Sequence, residues 1–143
     1  VNRILAIAAV HEVLTERRDD DVDLGELVER LRAMLVQGLG GGKTVSSRVE
    51  PVSLHGARAT ALALVFSELL QNALEHGGTD VRVELGRRNG RVLLTVTDNG
   101  SWDEAAAEGT GLSIVRALVR EELGGELSLT SDGGLRAEVA FPP

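Results

Sequence analysis

The chain has 143 residues, a formal net charge of −7, 43% hydrophobic and 26% charged residues, which is the profile of one folded domain with its own core and excludes a disordered chain. It contains no Cys, which excludes a disulfide scaffold, a zinc–thiolate site and thiol catalysis. Its aromatics are Phe66, Trp102 and Phe141, too few for base stacking, and the acidic balance argues against nucleic acid as a partner. An acidic chain that handles phosphate needs a metal cation or backbone amides to do so. No run of about 18 apolar residues is present, so no membrane insertion is expected.

Residues 3–17 read as a helix, with Ile4, Ile7, Ala8, Val10 and Leu14 at roughly helical spacing. This stripe lacks the basic leader and cleavage site of a signal peptide. It opens in mid-pattern at Val1, as a piece of a longer cytoplasmic protein would. Arg17-Arg18-Asp19-Asp20-Asp21 then reads as a charged break. Asp23 followed by Glu26 resembles a capping box ahead of a second helix, Leu24 to about Gln37, which the glycines from Gly38 to Gly42 end. Val45–Val52 reads as one strand with Pro51 near its end, and His55 falls in a loop. Ala57–His76 is the longest helix, with Leu62, Val65, Phe66, Leu69 and Ala73 facing a sheet. Val81, Val83, Leu85 and Val92, Leu94, Val96 alternate around Asn89-Gly90, a tight hairpin. An acidic loop to Glu108 leads to a helix over about Thr110–Glu122, ended by Gly124-Gly125. A second hairpin turns at Asp132-Gly133-Gly134. The order implies an α+β fold, a two-layer α/β sandwich with a mixed, mostly antiparallel sheet. About three helices cover one face and the other is solvated.

Three clusters could carry chemistry. Glu68, Asn72 and His76 lie at i, i+4 and i+8, on one face of the long helix away from its apolar stripe. An Asn oxygen is a suitable hard ligand for Mg²⁺, and a carboxylate one turn earlier can orient water on the same ion. An ordinary solvated helix face has the same pattern. Asp98-Asn99-Gly100 ends a strand. A carboxylate there can accept from the amino group of adenine and repel the guanine carbonyl, and Gly100 lets the backbone approach a ring. A plain Asx turn would look alike. Gly109-Thr110-Gly111-Leu112 opens a helix, where free amides favour anions. It fits neither the dinucleotide fingerprint nor a Walker loop.

In this order and spacing the three clusters resemble the N, G1 and G2 boxes of the GHKL ATPases. That superfamily spans gyrase-type topoisomerases, heat-shock chaperones, mismatch-repair ATPases and sensor histidine kinases. The resemblance covers about residues 24–143 and is strongest to the histidine kinases, through Gly109–Val115, Leu123-Gly-Gly-Glu-Leu127 and Ser131-Asp-Gly-Gly134. It implies a Bergerat-type ATP-binding fold with ATP and Mg²⁺ as ligands. Asn72 would ligate Mg²⁺. Glu68 would hold a water or act as base, and His76 would lie near the nucleotide. Asp98 would read adenine with Gly100 beneath the base. Gly109, Thr110, Gly111 and Leu112 would cap the phosphates. The pattern departs from the family at Trp102, where a second Gly is usual, at Glu75, where Lys is common, at Leu135, where Thr is common, and in a short lid between Gly100 and Gly109.

The resemblance also divides the chain. Residues 1–20 are expected to be the C-terminal fragment of a dimerisation helix, and residues 21–143 the catalytic ATP-binding domain. The first stretch resembles the second dimerisation helix of one kinase group, so the acceptor His would lie on a helix upstream of Val1, with His11 as the other candidate. The expected activity is transfer of the ATP γ-phosphoryl group to that His, in the cytoplasm, in a full-length homodimer served by a response regulator. An anti-sigma-factor-type Ser/Thr kinase and a degenerate, non-catalytic interaction module of the same fold stay open beside it.

Overall fold

The computed structural model describes residues 21–39, 41–76, 78–100, 111–131 and 133–143. The helix expected over 3–17, His11 and Trp102 lie outside them.

Strand β1 (Asp21–Asp23) runs directly into helix α1 (Leu24–Leu39). Asp23 is the cap that its type implies, its Oδ1 accepting the Gly25 N–H at 3.0 Å. The Leu24 N–H donates to the Val52 carbonyl. Leu24, Leu27, Val28, Leu31 and Leu35 are all buried, and the helix continues to Leu39, past the glycine expected to end it.

The strand expected over 45–52 is shorter, ending at Val49, and a further strand that was not expected follows it. Strand β2 (Thr44–Val49) belongs to the main sheet, and β3 (Ser53–His55) pairs antiparallel with β1, Val22 opposite Leu54. Pro51 separates them, because it has no N–H for a ladder. Asp21 and His55 thus sit in strands, not in the break and the loop expected of them. The pairing of β1 with β3 stitches the start of α1 to the start of helix α2 (Gly56–His76).

Next come β4 (Asp80–Arg88) and β5 (Arg91–Asp98), joined at Asn89 and Gly90, both with positive φ (54° and 76°) as a two-residue hairpin turn demands. Helix α3 (Leu112–Leu118) continues into a π turn over Val119–Leu123. The continuous α-helix expected to Glu122 is therefore widened in its last part, and Val115, Val119 and Leu123 all stay buried. Gly124, in the left-handed region, closes it. Strands β6 (Glu126–Ser131) and β7 (Leu135–Phe141) form the second hairpin.

The main sheet has the order β2-β4-β5-β7-β6. Only β2 and β4 are parallel, and α2 supplies the crossover that such a pair needs. Val81, Val83, Leu85, Val92, Leu94, Val96, Ala137, Val139 and Phe141 are buried with the helices in one core. This is the expected two-layer α/β sandwich. On the other face Arg82, Glu84, Arg136 and Glu138 are exposed or half-buried. Thr95 is 2% exposed there, between its register neighbours Glu84 and Glu138.

Glu29 on α1 donates a pH dependence to this fold. Partial burial raises its carboxyl, but hydrogen bonds from Arg32 and Ser47 and the attraction of the Arg32 guanidinium outweigh that and hold it below the ordinary carboxylate range. The Arg32 Nη2–Glu29 Oε2 separation is 2.9 Å. A depressed folded-state value stabilises above the unfolded-state value and is lost as pH falls through the folded one. Urea midpoints measured from pH 7 down to pH 3 should therefore fall less steeply in Glu29→Gln than in the parent. The gap should be small, because the pair is partly solvated.

Candidate functional site

Three connections meet at one end of the sheet. Strand β5 ends at Asp98, opposite Val81 near the start of β4. On its other side Thr97 pairs with Arg136 near the start of β7. The turn from α2 into β4, the exit of β5 and the β6–β7 turn therefore lie side by side.

Asp98 continues the inward parity of Val92, Leu94 and Val96 and is 6% exposed. Its Oδ1 accepts the Gly100 N–H at 2.8 Å and the Leu135 N–H at 3.4 Å. The first bond is the Asx turn considered from sequence. The second comes from a different hairpin and fixes the carboxylate to the sheet. Gly134 has φ +146°, and a Cβ there would overlap the Asp98 carbonyl oxygen, so the β6–β7 turn lies directly on the Asp98 peptide. In the sequence this glycine belongs to the Ser131-Asp-Gly-Gly134 stretch that carries the family resemblance and to a turn, and its contact with Asp98 is not visible there.

The opposite wall is the α2–β4 connection. Asn99 reaches across to it: its Oδ1 accepts the Asp80 N–H at 3.0 Å, its Nδ2 donates to Thr79 Oγ1 at 3.3 Å, and its own N–H donates to the Asp80 carbonyl at 3.3 Å. Gly78 is packed so tightly on Asn99 that a Cβ would collide with Asn99 Oδ1. Sequence reasoning took Asp98 and Gly100 from this triplet and passed over Asn99. An amide side chain at a strand exit, flanked by two functional candidates, was the signal available.

Helix α2 carries Glu68, Asn72 and His76. Glu68 is half-buried, whereas Asn72 is 6% exposed. The solvated helix face considered from sequence is therefore overturned at Asn72, because α2 is covered on most of its circumference from Ala61 to Leu74. No hydrogen bond from another described residue occupies the Asn72 amide. His76 is the last residue of α2, and its side chain lies outside the description. Glu75, at the position where a Lys was expected, accepts from Gln71 Nε2 at 3.3 Å. A cation nevertheless reaches this helix end: Lys43 Nζ lies 3.4 Å from the Ala73 carbonyl, a favourable place for positive charge in the last turn.

Of the third cluster, Gly109 and Thr110 lie outside the described residues. Gly111, with φ 87°, is the N-cap of α3 without a side-chain cap. Ile114 and Val115 donate to its carbonyl, so the amides of Leu112 and Ser113 precede the first helical bonds. Leu112 itself is a core residue, 1% exposed. Among the described residues no three carboxylate or imidazole groups cluster as a metal cage.

Residues 57–143 match the family described as histidine kinase-, DNA gyrase B- and HSP90-like ATPases. The chain belongs to this family. The sensor histidine kinase PdtaS of Mycobacterium tuberculosis is 33% identical to it over 145 residues, 90% of this chain and 28% of the relative. The chain thus spans little more than a quarter of the length of that relative. Among solved structures, the blue-light activated histidine kinase of Erythrobacter litoralis superposes with a TM-score of 0.82 at 26% identity, over 99% of this chain and 52% of that one. The ATP-binding domain of PrrB from Mycobacterium tuberculosis gives 0.71 at 24% identity, over 87% and 98%, and shows the shared fold. The fold and the relatives are those of histidine kinase catalytic domains. Among the described residues no helix is long and apolar enough to cross a membrane.

Proposed function

We propose that residues 21–143 are the catalytic ATP-binding domain of a sensor histidine kinase and that residues 1–20 are the end of its dimerisation helix. The observation that carries this reading is the buried Asp98 carboxylate. It is pinned by two backbone amides at the exit of a core strand, beside the end of the helix that buries Asn72. In a family of ATPases that pairing gives a base-reading group and a phosphate-side group at one end of one sheet.

Asp98 accepts from the adenine amino group, and Gly100 leaves room for the ring. Gly109, Thr110, Gly111 and Leu112 present backbone amides to the phosphates. His76 lines the nucleotide. Asn72 fits Mg²⁺ by its chemistry, as a neutral oxygen donor whose amide no described neighbour occupies. Phosphates and water would supply the remaining ligands of such an ion. When bound, Mg²⁺ would neutralise phosphate charge, which is how a chain of charge −7 holds ATP. Glu68, one turn ahead of Asn72, orients water or takes a proton. The γ-phosphoryl group passes to a His on the dimerisation helix preceding this chain, leaving ADP, and then to a response regulator. The full protein is a homodimer with this domain in the cytoplasm.

Titration calorimetry with Mg-ATP and Mg-GTP tests the reading. ATP should bind and GTP should bind at least tenfold more weakly, the equivalent of about 1.4 kcal/mol. Incubation with γ-labelled ATP should leave the 143-residue chain unlabelled and label the full-length protein on His. No binding at millimolar ATP would sink the proposal. Acid-labile label on the short chain, lost in His11→Gln, would move the acceptor to His11.

A further inference from the structure

We infer that Asn99 is a positioning residue for nucleotide recognition: its carboxamide locks the entry to β4, at Thr79 and Asp80, to the Asp98 peptide and so sets the carboxylate that reads the base. This rests on Asp98 being the base acceptor.

The peptide between Asp98 and Asn99 is gripped from both neighbouring strands. On the β7 side, Gly134 lies against it so closely that a Cβ would be 2.9 Å from Asn99 Cα, and the Leu135 N–H holds Asp98 Oδ1. On the β4 side the grip is made by Asn99. Its side chain uses both ends, accepting from the Asp80 N–H and donating to Thr79 Oγ1. It does this although the residue is exposed, where an amide has water as an alternative partner and no burial forces the bonds. A Cβ at Gly78 would be 3.0 Å from the Asn99 carbonyl carbon and oxygen, so the connection leaving α2 is moulded onto this residue.

Thr79 and Asp80 lie at the entry to β4, which follows α2 in the chain, the helix that carries Asn72. Asn99 therefore ties the entry to β4 to the strand exit carrying the base-side group. Loss of its amide leaves the Leu135 bond on one side of Asp98 and, on the other, the backbone bond from the Asn99 N–H to the Asp80 carbonyl without the side-chain clamp. The carboxylate plane then turns with the Asp98–Asn99–Gly100 backbone, and a directional hydrogen bond to the base weakens. Phosphate contacts, made by other elements, do not depend on that plane.

The test is calorimetric affinity for Mg-ADP and Mg-GDP in the parent, Asn99→Ala, Asn99→Asp and Asp98→Ala, with GDP read by displacement of a fluorescent nucleotide. Asn99→Ala should weaken ADP roughly tenfold, the loss of about one useful hydrogen bond, and leave GDP within about twofold, so that base discrimination collapses. Asn99→Asp should restore most ADP affinity, because its carboxylate accepts from both the Asp80 N–H and the Thr79 hydroxyl. Equal weakening of ADP and GDP would show general loosening and overturn the inference. So would unchanged ADP affinity in Asn99→Ala while Asp98→Ala loses it, which leaves the base reading standing. Unchanged ADP affinity in Asp98→Ala overturns the base reading and this inference together. Should Asn99→Ala fail to fold, Thr79→Val removes one end of the clamp, and the same ADP-selective loss, smaller in size, is required of it.

Discussion

Phe66→Ala should destabilise the domain by about 3–5 kcal/mol, the usual cost of truncating a buried ring. Phe66 is fully buried on α2 and belongs to the one core that joins that helix to the sheet. Phe141, the last residue of β7, is also fully buried. The other buried residues of that core among those described, Phe141 apart, are Leu, Val and Ala, each smaller than the ring that is lost. The surrounding Leu and Val side chains are held in their rotamers by dense packing, so the cavity stays largely open and its cost adds to the lost transfer energy. In urea unfolding the midpoint should drop with little change in slope, and the melting temperature should fall by roughly 10 °C or more. Phe66→Leu, which keeps most of the volume, should cost under about 1.5 kcal/mol. A loss below about 1 kcal/mol for the alanine variant would mean that Phe66 is not the keystone of the interface between α2 and the sheet.

The parts of this fold that sequence reveals are the ones fixed by local periodicity. Helix α2 shows itself through Leu62, Val65, Phe66 and Leu69, and the β4–β5 hairpin through alternation around Asn89-Gly90, which need positive φ. What stays hidden depends on distant partners. β1 and β3 are three residues each and exist because Val22 meets Leu54 across the chain. Neither is long enough to show a period. The π turn after Leu118 answers to the burial of Val119 and Leu123, a tertiary demand that propensity does not encode. At the site, residue types alone left a solvated helix face and a plain Asx turn open, and it was the order and spacing of the three clusters that singled out Asn72, Asp98 and Gly100. Burial of Asn72 was not legible, because its neighbours Gln71 and Glu75 are polar. Gly78 and Gly134 looked like punctuation. Their closeness to Asn99 and Asp98 shows only when three connections are seen side by side.

Asn72→Ala should separate binding from stability more sharply than any other change. A ligand that binds only the folded state stabilises by an amount that grows with its concentration over Kd, about 2.7 kcal/mol at a hundredfold excess. Saturating Mg-ATP should therefore raise the melting temperature of the parent by several degrees, and Asn72→Ala should abolish that rise. Without nucleotide the variant should melt within a few degrees of the parent, or slightly above it. Asn72 is buried, yet no described neighbour hydrogen-bonds its amide, so truncation breaks no internal bond and substitutes the best helix former. Asn72→Asp, which still offers an oxygen to Mg²⁺, should recover part of the shift, and EDTA should remove it in the parent. A nucleotide-dependent rise of equal size in Asn72→Ala would take Asn72 out of the site. A large fall in the nucleotide-free melting temperature would make it a structural residue instead.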